Sequence, residues 1–247
     1  MGLSFIPLGV GDAFSAVHYS SCIALESGGR WLLVDCPHPI RKILREGSGA
    51  EAPLDVASFE AVVLTHVHAD HASGLEGFGF FTHFVLRRRA RLVAHPRVTA
   101  RLWDGRLAGG MDELAEPETW ARKRMGFADY FDVEPLDDAR AVRVGPFEIE
   151  CRPTRHLVPT TALRIRAGGR TLGLSADTAF DPALIEWLAQ ADLVLHETGP
   201  GIHTPYEALA SLPLATRSKL RLIHYPDDFD TAASVIEPLV EGRRYAV

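Results

Sequence analysis

The chain has 247 residues, enough for one large α/β domain with a full core, and its 47% hydrophobic and 23% charged content is that of an ordinary globular protein. A formal charge of -6 argues against general affinity for nucleic-acid phosphates, so nucleic acid is not expected as a partner, whereas a small anionic substrate stays open because metal ions can supply local positive charge. Cys22, Cys36 and Cys151 are too few and too scattered for a disulfide framework or a thiolate zinc site, and no apolar run approaches the ~20 residues of a membrane span. With no leader-like pattern in Met1 to Val10, a cytoplasmic protein without membrane contact is expected.

In chain order, Phe5-Ile6-Pro7-Leu8 opens a β-meander and leads into the loop Gly9-Val10-Gly11-Asp12. Ser21 to Leu25 and Trp31 to Asp35 flank the turn Ser27-Gly28-Gly29-Arg30, a hairpin signal because glycine supplies the positive φ of tight turns. Ile40 to Arg45 suits a short helix. Ala61-Val62-Val63-Leu64-Thr65 is short, apolar and β-branched, the pattern of a strand buried on both faces. A helix is predicted from about Asp70 to the glycines at 77 and 79.

Residues 84–140 read as a helical insertion in a single domain spanning 1–247, with a strand at Leu92 to Ala94, a helix at Val98 to Trp103 and one or two helices within Met111 to Tyr130. This stretch, with Trp103, Trp120 and Phe127, is expected to shape a substrate pocket, as elements inserted beside a rigid scaffold commonly do. The basic run Arg87 to Arg91 is a solvated face or, alternatively, a contact for an anion. Strands follow at Phe147 to Cys151, Ala162 to Ile165 and Thr171 to Ser175. Asp181 caps a helix that starts at Pro182, and Leu193 to Leu195, Pro205 to Ser211 and Leu220 to His224 read as strand, helix and strand. Short apolar strands in both halves predict a four-layer αβ/βα sandwich, with two mixed sheets face to face and helices outside.

The chemistry concentrates in Thr65-His66-Val67-His68-Ala69-Asp70-His71. His66 and His68, one residue apart at a strand end, project to the same side and can bind one metal through neutral imidazole nitrogens. Asp70 and His71 fall where the chain turns into a helix, which swings them toward a second position nearby.

This run resembles the signature of the metallo-β-lactamase fold hydrolases, and His156, Asp177 and His224 stand where that family has its remaining ligands. Leu174-Ser175-Ala176-Asp177-Thr178 and Ala191 to Thr198 are similar to blocks of the branch containing ribonuclease Z and small phosphodiesterases, with Ala176 for the usual Gly and Thr198 for the usual Ala. The resemblance implies two divalent ions, zinc by the donor chemistry, although manganese or iron suits the same cage. His66, His68 and His156 would hold one, Asp70, His71 and His224 the other, and Asp177 would bridge them. It implies a hydrolase, with a small phosphodiester or nucleotide as the expected substrate; carboxylic ester, thioester or lactone hydrolysis is the alternative. A non-catalytic binding protein would not need so full a donor set. A tRNA-processing role is disfavoured, because Asp177 to His224 leaves little room for a tRNA-gripping arm.

In this reading Asp70 also orients the nucleophile. His196, at the end of a buried strand, either protonates the leaving oxygen, as the resemblance favours, or orients a ligand. His203, like His18, His38, His83 and His95, has no motif partner and reads as a surface or hydrogen-bonded structural histidine, with pocket lining as the alternative because it precedes a helix; Asp12 falls at the rim or, equally, serves as a turn former. Homodimerisation is left open.

Overall fold

The computed structural model describes residues 2–49 and 53–247. Its first half comprises β1 (Leu3–Gly9), β2 (Cys22–Ser27), β3 (Arg30–Val34), α1 (Ile40–Gly47), β4 (Phe59–Leu64), α2 (Ala69–Ala72), α3 (Leu75–Phe80), β5 (Ala90–Ala94), α4 (Pro96–Leu102), α5 (Ala108–Met111), β6 (Glu113–Ala115), β7 (Arg122–Arg124), α6 (Phe127–Tyr130) and β8 (Phe131–Pro135). The second half holds β9 (Val142–Val144), β10 (Phe147–Pro153), β11 (Thr161–Ala167), β12 (Arg170–Leu174), α7 (Pro182–Leu188), β13 (Leu193–Glu197), α8 (Tyr206–Ala210), α9 (Leu214–Arg217), β14 (Leu220–Ile223) and β15 (Tyr245–Ala246).

The strands form a seven-stranded sheet in the order β15-β1-β2-β3-β4-β5-β8 and a six-stranded sheet in the order β14-β13-β12-β11-β10-β9. Side-chain alternation explains why the first is covered on both faces. Ala61 and Val63 of β4 point into the core between the sheets, while Val62 and Leu64 point into an outer core shared with α1, α3 and α4. In the second sheet, Leu172 and Leu174 join the central core, and a Cβ on the intervening Gly173 would touch Leu188 of α7. Helix, sheet, sheet and helix are the four layers of a metallo-β-lactamase fold. Each half carries a hairpin with two positive-φ glycines at its turn, Gly28 and Gly29, then Gly168 and Gly169. Asp181 caps α7, accepting from Ala183 and Leu184 N–H at 3.0 and 3.4 Å.

Three readings of the sequence change. The helix after Asp70 does not stop at Gly77 or Gly79 but continues through Phe80 into a π-helical turn, Phe81–Val85. Gly79 is there for packing, since a Cβ would lie 2.8 Å from the Phe131 ring and 3.0 Å from Met111. The stretch 84–140, read as a helical insertion with a strand at Leu92 to Ala94, contains that strand as β5 and adds the unexpected β8, and the two pair in parallel within the main sheet. Between Met111 and Tyr130 stands the β6–β7 hairpin, whose strands are joined by an Arg122–Glu113 ion pair, ahead of the short α6. The basic run is a solvated face: Arg89 and Arg91 pair with Asp132 and Glu134 of β8.

Candidate metal centre

Parallel pairing gives β3, β4, β5 and β8 one direction, so their C-terminal ends share an edge. The second sheet delivers the ends of β10, β12, β13 and β14 to the same edge. The two sheets meet there at Thr65, whose carbonyl accepts from Thr161 N–H at 3.1 Å and from its hydroxyl at 3.3 Å. His66 to His71 follow β4, His156 follows β10, Asp177 follows β12 and His224 follows β14. Segments distant in sequence thus converge because strand direction sends their ends to one seam.

The structure brings all seven side chains expected as ligands into two donor sets sharing Asp177, with the ligand atoms of each set within 4.8 Å of one another. In the first, His68 Nδ1 and His156 Nε2 are 3.0 Å apart, and His66 Nε2 and His156 Nε2 each lie 3.6 Å from Asp177 Oδ2. In the second, Asp70 Oδ2 lies 3.1 Å from His71 Nε2 and 3.2 Å from His224 Nε2. Asp177 Oδ1 is 3.3 Å from the same His71 nitrogen and 3.6 Å from that of His224. Each carboxylate oxygen of Asp177 therefore serves one set.

These residues fit divalent cations. Among the described residues, buried His66 Nε2, His71 Nε2 and Asp177 Oδ1 have no hydrogen-bond partner, and orphaned buried atoms that converge in this way suit a bound cation. Burial pushes His66 well below its usual pKa and His156 down to about 4, which leaves neutral nitrogens in the first set, whereas in the second set Asp177 and Asp70 outweigh burial and raise both His71 and His224. Burial alone would raise the Asp177 carboxyl, but His71 and His224 outweigh it and hold it well below the carboxylate range.

Asp35, to which the sequence analysis gave no role, organises both sets. It follows β3 with φ 60°, accepts from Thr65 N–H at 2.8 Å and from Thr65 Oγ1 at 2.9 Å, and faces His71 Nδ1 at 2.8 Å. Thr65 Oγ1 is in turn 3.0 Å from His66 Nδ1. One buried carboxylate thus turns the Nε2 atoms of His66 and His71 toward the centre. An Asp closing one buried strand next to a Thr closing its parallel neighbour was the available signal.

His196 is not brought into the centre. It is 1% exposed, its Nδ1 lies 2.7 Å from the Glu197 carbonyl, and burial pushes it down to about 4. Alternation puts it on the same face of β13 as Val194, which packs toward Gly173 and α7, and puts Glu197 on the metal side. In that position His196 does not face the donor sets. The histidine that is present is His203, whose ring centroid lies 5.2 Å from that of His224 and 5.7 Å from that of His156. Glu197 Oε1 is 3.0 Å from His203 Nδ1 and also accepts from Thr178 N–H at 2.7 Å, so one carboxylate fixes both His203 and the Asp177 loop. The bond to Glu197 raises the His203 pKa. Asp12, expected at the rim, accepts from Phe14 N–H at 2.9 Å as a turn former.

Two facing mixed sheets with His and Asp donors converging at one shared edge define a metallo-β-lactamase fold protein, close in architecture to the ribonuclease Z and phosphodiesterase-like branch. The metallo-β-lactamase fold protein YhfI from Bacillus subtilis superposes with a TM-score of 0.79 at 18% identity, covering 100% of both chains. The short form of human tRNase Z superposes with a TM-score of 0.69 at 16% identity over 98% of each chain. Residues 3–239 match the family of the Anti-Pycsar protein Apyc1, and the chain belongs to that family. It is 32% identical to the Apyc1 of Saccharibacillus brassicae over 97% of this chain and 98% of that protein. It is also 32% identical to the Apyc1 of Bacillus phage 010DV004 over 96% of each.

Proposed function

We propose that the chain is a dinuclear metal-dependent hydrolase that cleaves a small phosphodiester or nucleotide. The role carried by its relatives' name, opposition to Pycsar, is extended to it as part of this proposal. The supporting observation is the placement of Asp177, whose two oxygens face separate donor sets and so favour a pair of ions over a single one. Zinc suits the nitrogen and carboxylate donors, and manganese or iron suits them as well.

His66, His68, His156, Asp70, His71, His224 and Asp177 would hold divalent ions, which when bound would supply positive charge for phosphoryl oxygens and lower the pKa of water from 15.7 to about 7. The protein's own groups do the rest. Asp70 engages His71 and His224 through Oδ2, and its second oxygen is the acceptor that orients the attacking water. His203, whose imidazolium form is favoured by the contact of its Nδ1–H with Glu197, presents Nε2–H as the group that donates to the departing oxygen. Asp35 and Thr65 keep His66 and His71 from rotating as charge shifts.

A hydrolysis screen of metal-loaded protein tests this reading. Bis(p-nitrophenyl) phosphate and cyclic nucleotides should turn over, and thioesters and lactones should be poor substrates. Efficient thioester or lactone cleavage without phosphodiester cleavage would reject the phosphodiesterase reading. Unchanged metal content and activity in H66A, D177A and H224A would reject the centre itself.

A further inference from the structure

Between α4 and α5 the chain makes a π-helical turn, Trp103–Leu107, closed by Ala108 N–H to the Trp103 carbonyl. Leu102 and Leu107 are both buried, although residues five apart lie about 140° apart around an α-helix of 3.6 residues per turn. The wider turn brings them to one face, and π turns of this kind recur at functional sites. The extra residue places Arg106 against the ligand loop: its Nε donates to the Val67 carbonyl at 2.7 Å, between His66 and His68. Among the described residues this is the hydrogen bond Arg106 makes within the protein, and it has no ion pair. The side chain is exposed and its charge is felt by the half-buried His68, and no hydrogen bond engages its two Nη groups among the described residues.

The surroundings distinguish this arginine from a solvated one. Arg89 and Arg91, on the same half of the chain, are satisfied by carboxylates of β8. Arg106 instead has its Nε hydrogen committed to the ligand loop, which limits the guanidinium plane to a narrow range, while four N–H donors stay free. A fork pre-oriented in this way matches the paired oxygens of a phosphate.

We propose that Arg106 is a substrate-positioning residue that grips an anionic oxygen of the substrate on the His68 side of the centre, outside the metal cage. The inference rests on the reading that the substrate carries a phosphoryl group. Arg106 acts on binding more than on the chemical step, because it touches neither the donor His203 nor the water-orienting Asp70.

The test compares wild type, R106A and R106K, each metal-loaded, by elemental analysis, by calorimetric titration with inorganic phosphate, and by steady-state kinetics on bis(p-nitrophenyl) phosphate. All three proteins should hold the same metal. Phosphate affinity should fall about tenfold or more in R106A, with KM for the diester rising in proportion and kcat changing little. R106K should recover only part of the loss, since it restores charge without the fork. Phosphate affinity and KM equal to wild type in R106A would overturn the inference. Loss of metal in R106A would also overturn it, by showing that the side chain only braces the Val67 carbonyl. If no protein cleaves the diester but phosphate affinity still falls in R106A, the phosphodiesterase reading fails and the role of Arg106 stands.

Discussion

Asp35 is the side chain on which both donor sets depend, and it touches neither shared oxygen of Asp177. It fixes His71 directly and His66 through Thr65, so removing it frees two imidazoles at once. Loss of such an orienting partner typically costs 10–100-fold in metal affinity. D35A should show a decrease of that order by competition with a chromophoric chelator, and D35N should fall between D35A and wild type. The two candidate proton donors separate just as cleanly. H203A should lose about 10²–10⁴-fold in rate on alkyl phosphodiesters, where the leaving oxygen needs a proton, and much less on p-nitrophenyl diesters. H196A should show no such dependence on leaving group, because His196 faces α7 from the far side of β13. Ala176, the residue before the shared aspartate, adopts φ 49°, a left-handed conformation that costs an alanine about 1 kcal/mol. A176G should therefore raise stability by up to about 1 kcal/mol in urea denaturation while leaving metal content unchanged.

Among the elements, the short α2–α3 turn controls where His68, Asp70 and His71 sit. Gly74 lies at that turn, its N–H donating to the Cys36 carbonyl at 2.7 Å. A Cβ there would meet the Pro37 carbonyl oxygen at 2.3 Å and that of Cys36 at 2.8 Å, backbone atoms that cannot swing away. G74A should cost about 1–3 kcal/mol, as overpacking of a tight site does, and should weaken the Asp70–His71–His224 set by pushing the ligand loop off β3. Much of the element order was legible in the sequence, because the β-branched run before Thr65 and the two Gly-Gly turns carry local causes. The β6–β7 hairpin and the continuation through Gly79 were not. Local propensity reads Gly79 as a stop, whereas the Phe131 ring packed against it explains why no side chain is tolerated.

Across the whole molecule, the donor sets draw on strand ends of both sheets, so metal binding should be linked to folding. Ligands bound only to the native state stabilise by RT ln(1 + [L]/Kd), about 4.1 kcal/mol per site when free metal exceeds Kd 1,000-fold. Chelator-treated protein should melt several degrees lower than metal-loaded protein, and readdition of metal should restore the transition. An identical transition with and without metal would show that the seam is held by the protein alone. The thiols report on the same cores. Cys22 and Cys36 are pushed well above their usual pKa by burial, and Cys151 is pushed up to about 12.

What the sequence by itself determined was the set of ligand-type residues and their strand-end setting. Strand alternation places His66 and His68 on one side, the start of a helix swings Asp70 and His71 toward a second position, and the family resemblance supplied His156, Asp177 and His224. Only the tertiary structure decided which histidine accompanies them. His196 and His203 are seven residues apart and alike in composition, but β13 turns the first toward α7, and the Gly199 to Thr204 loop folds the second back onto Glu197. The face a strand residue presents depends on which side its sheet packs, and that is set by the opposing sheet. For the same reason Asp35 and Arg106 acquire their roles only when β3, β4 and the π turn are brought side by side.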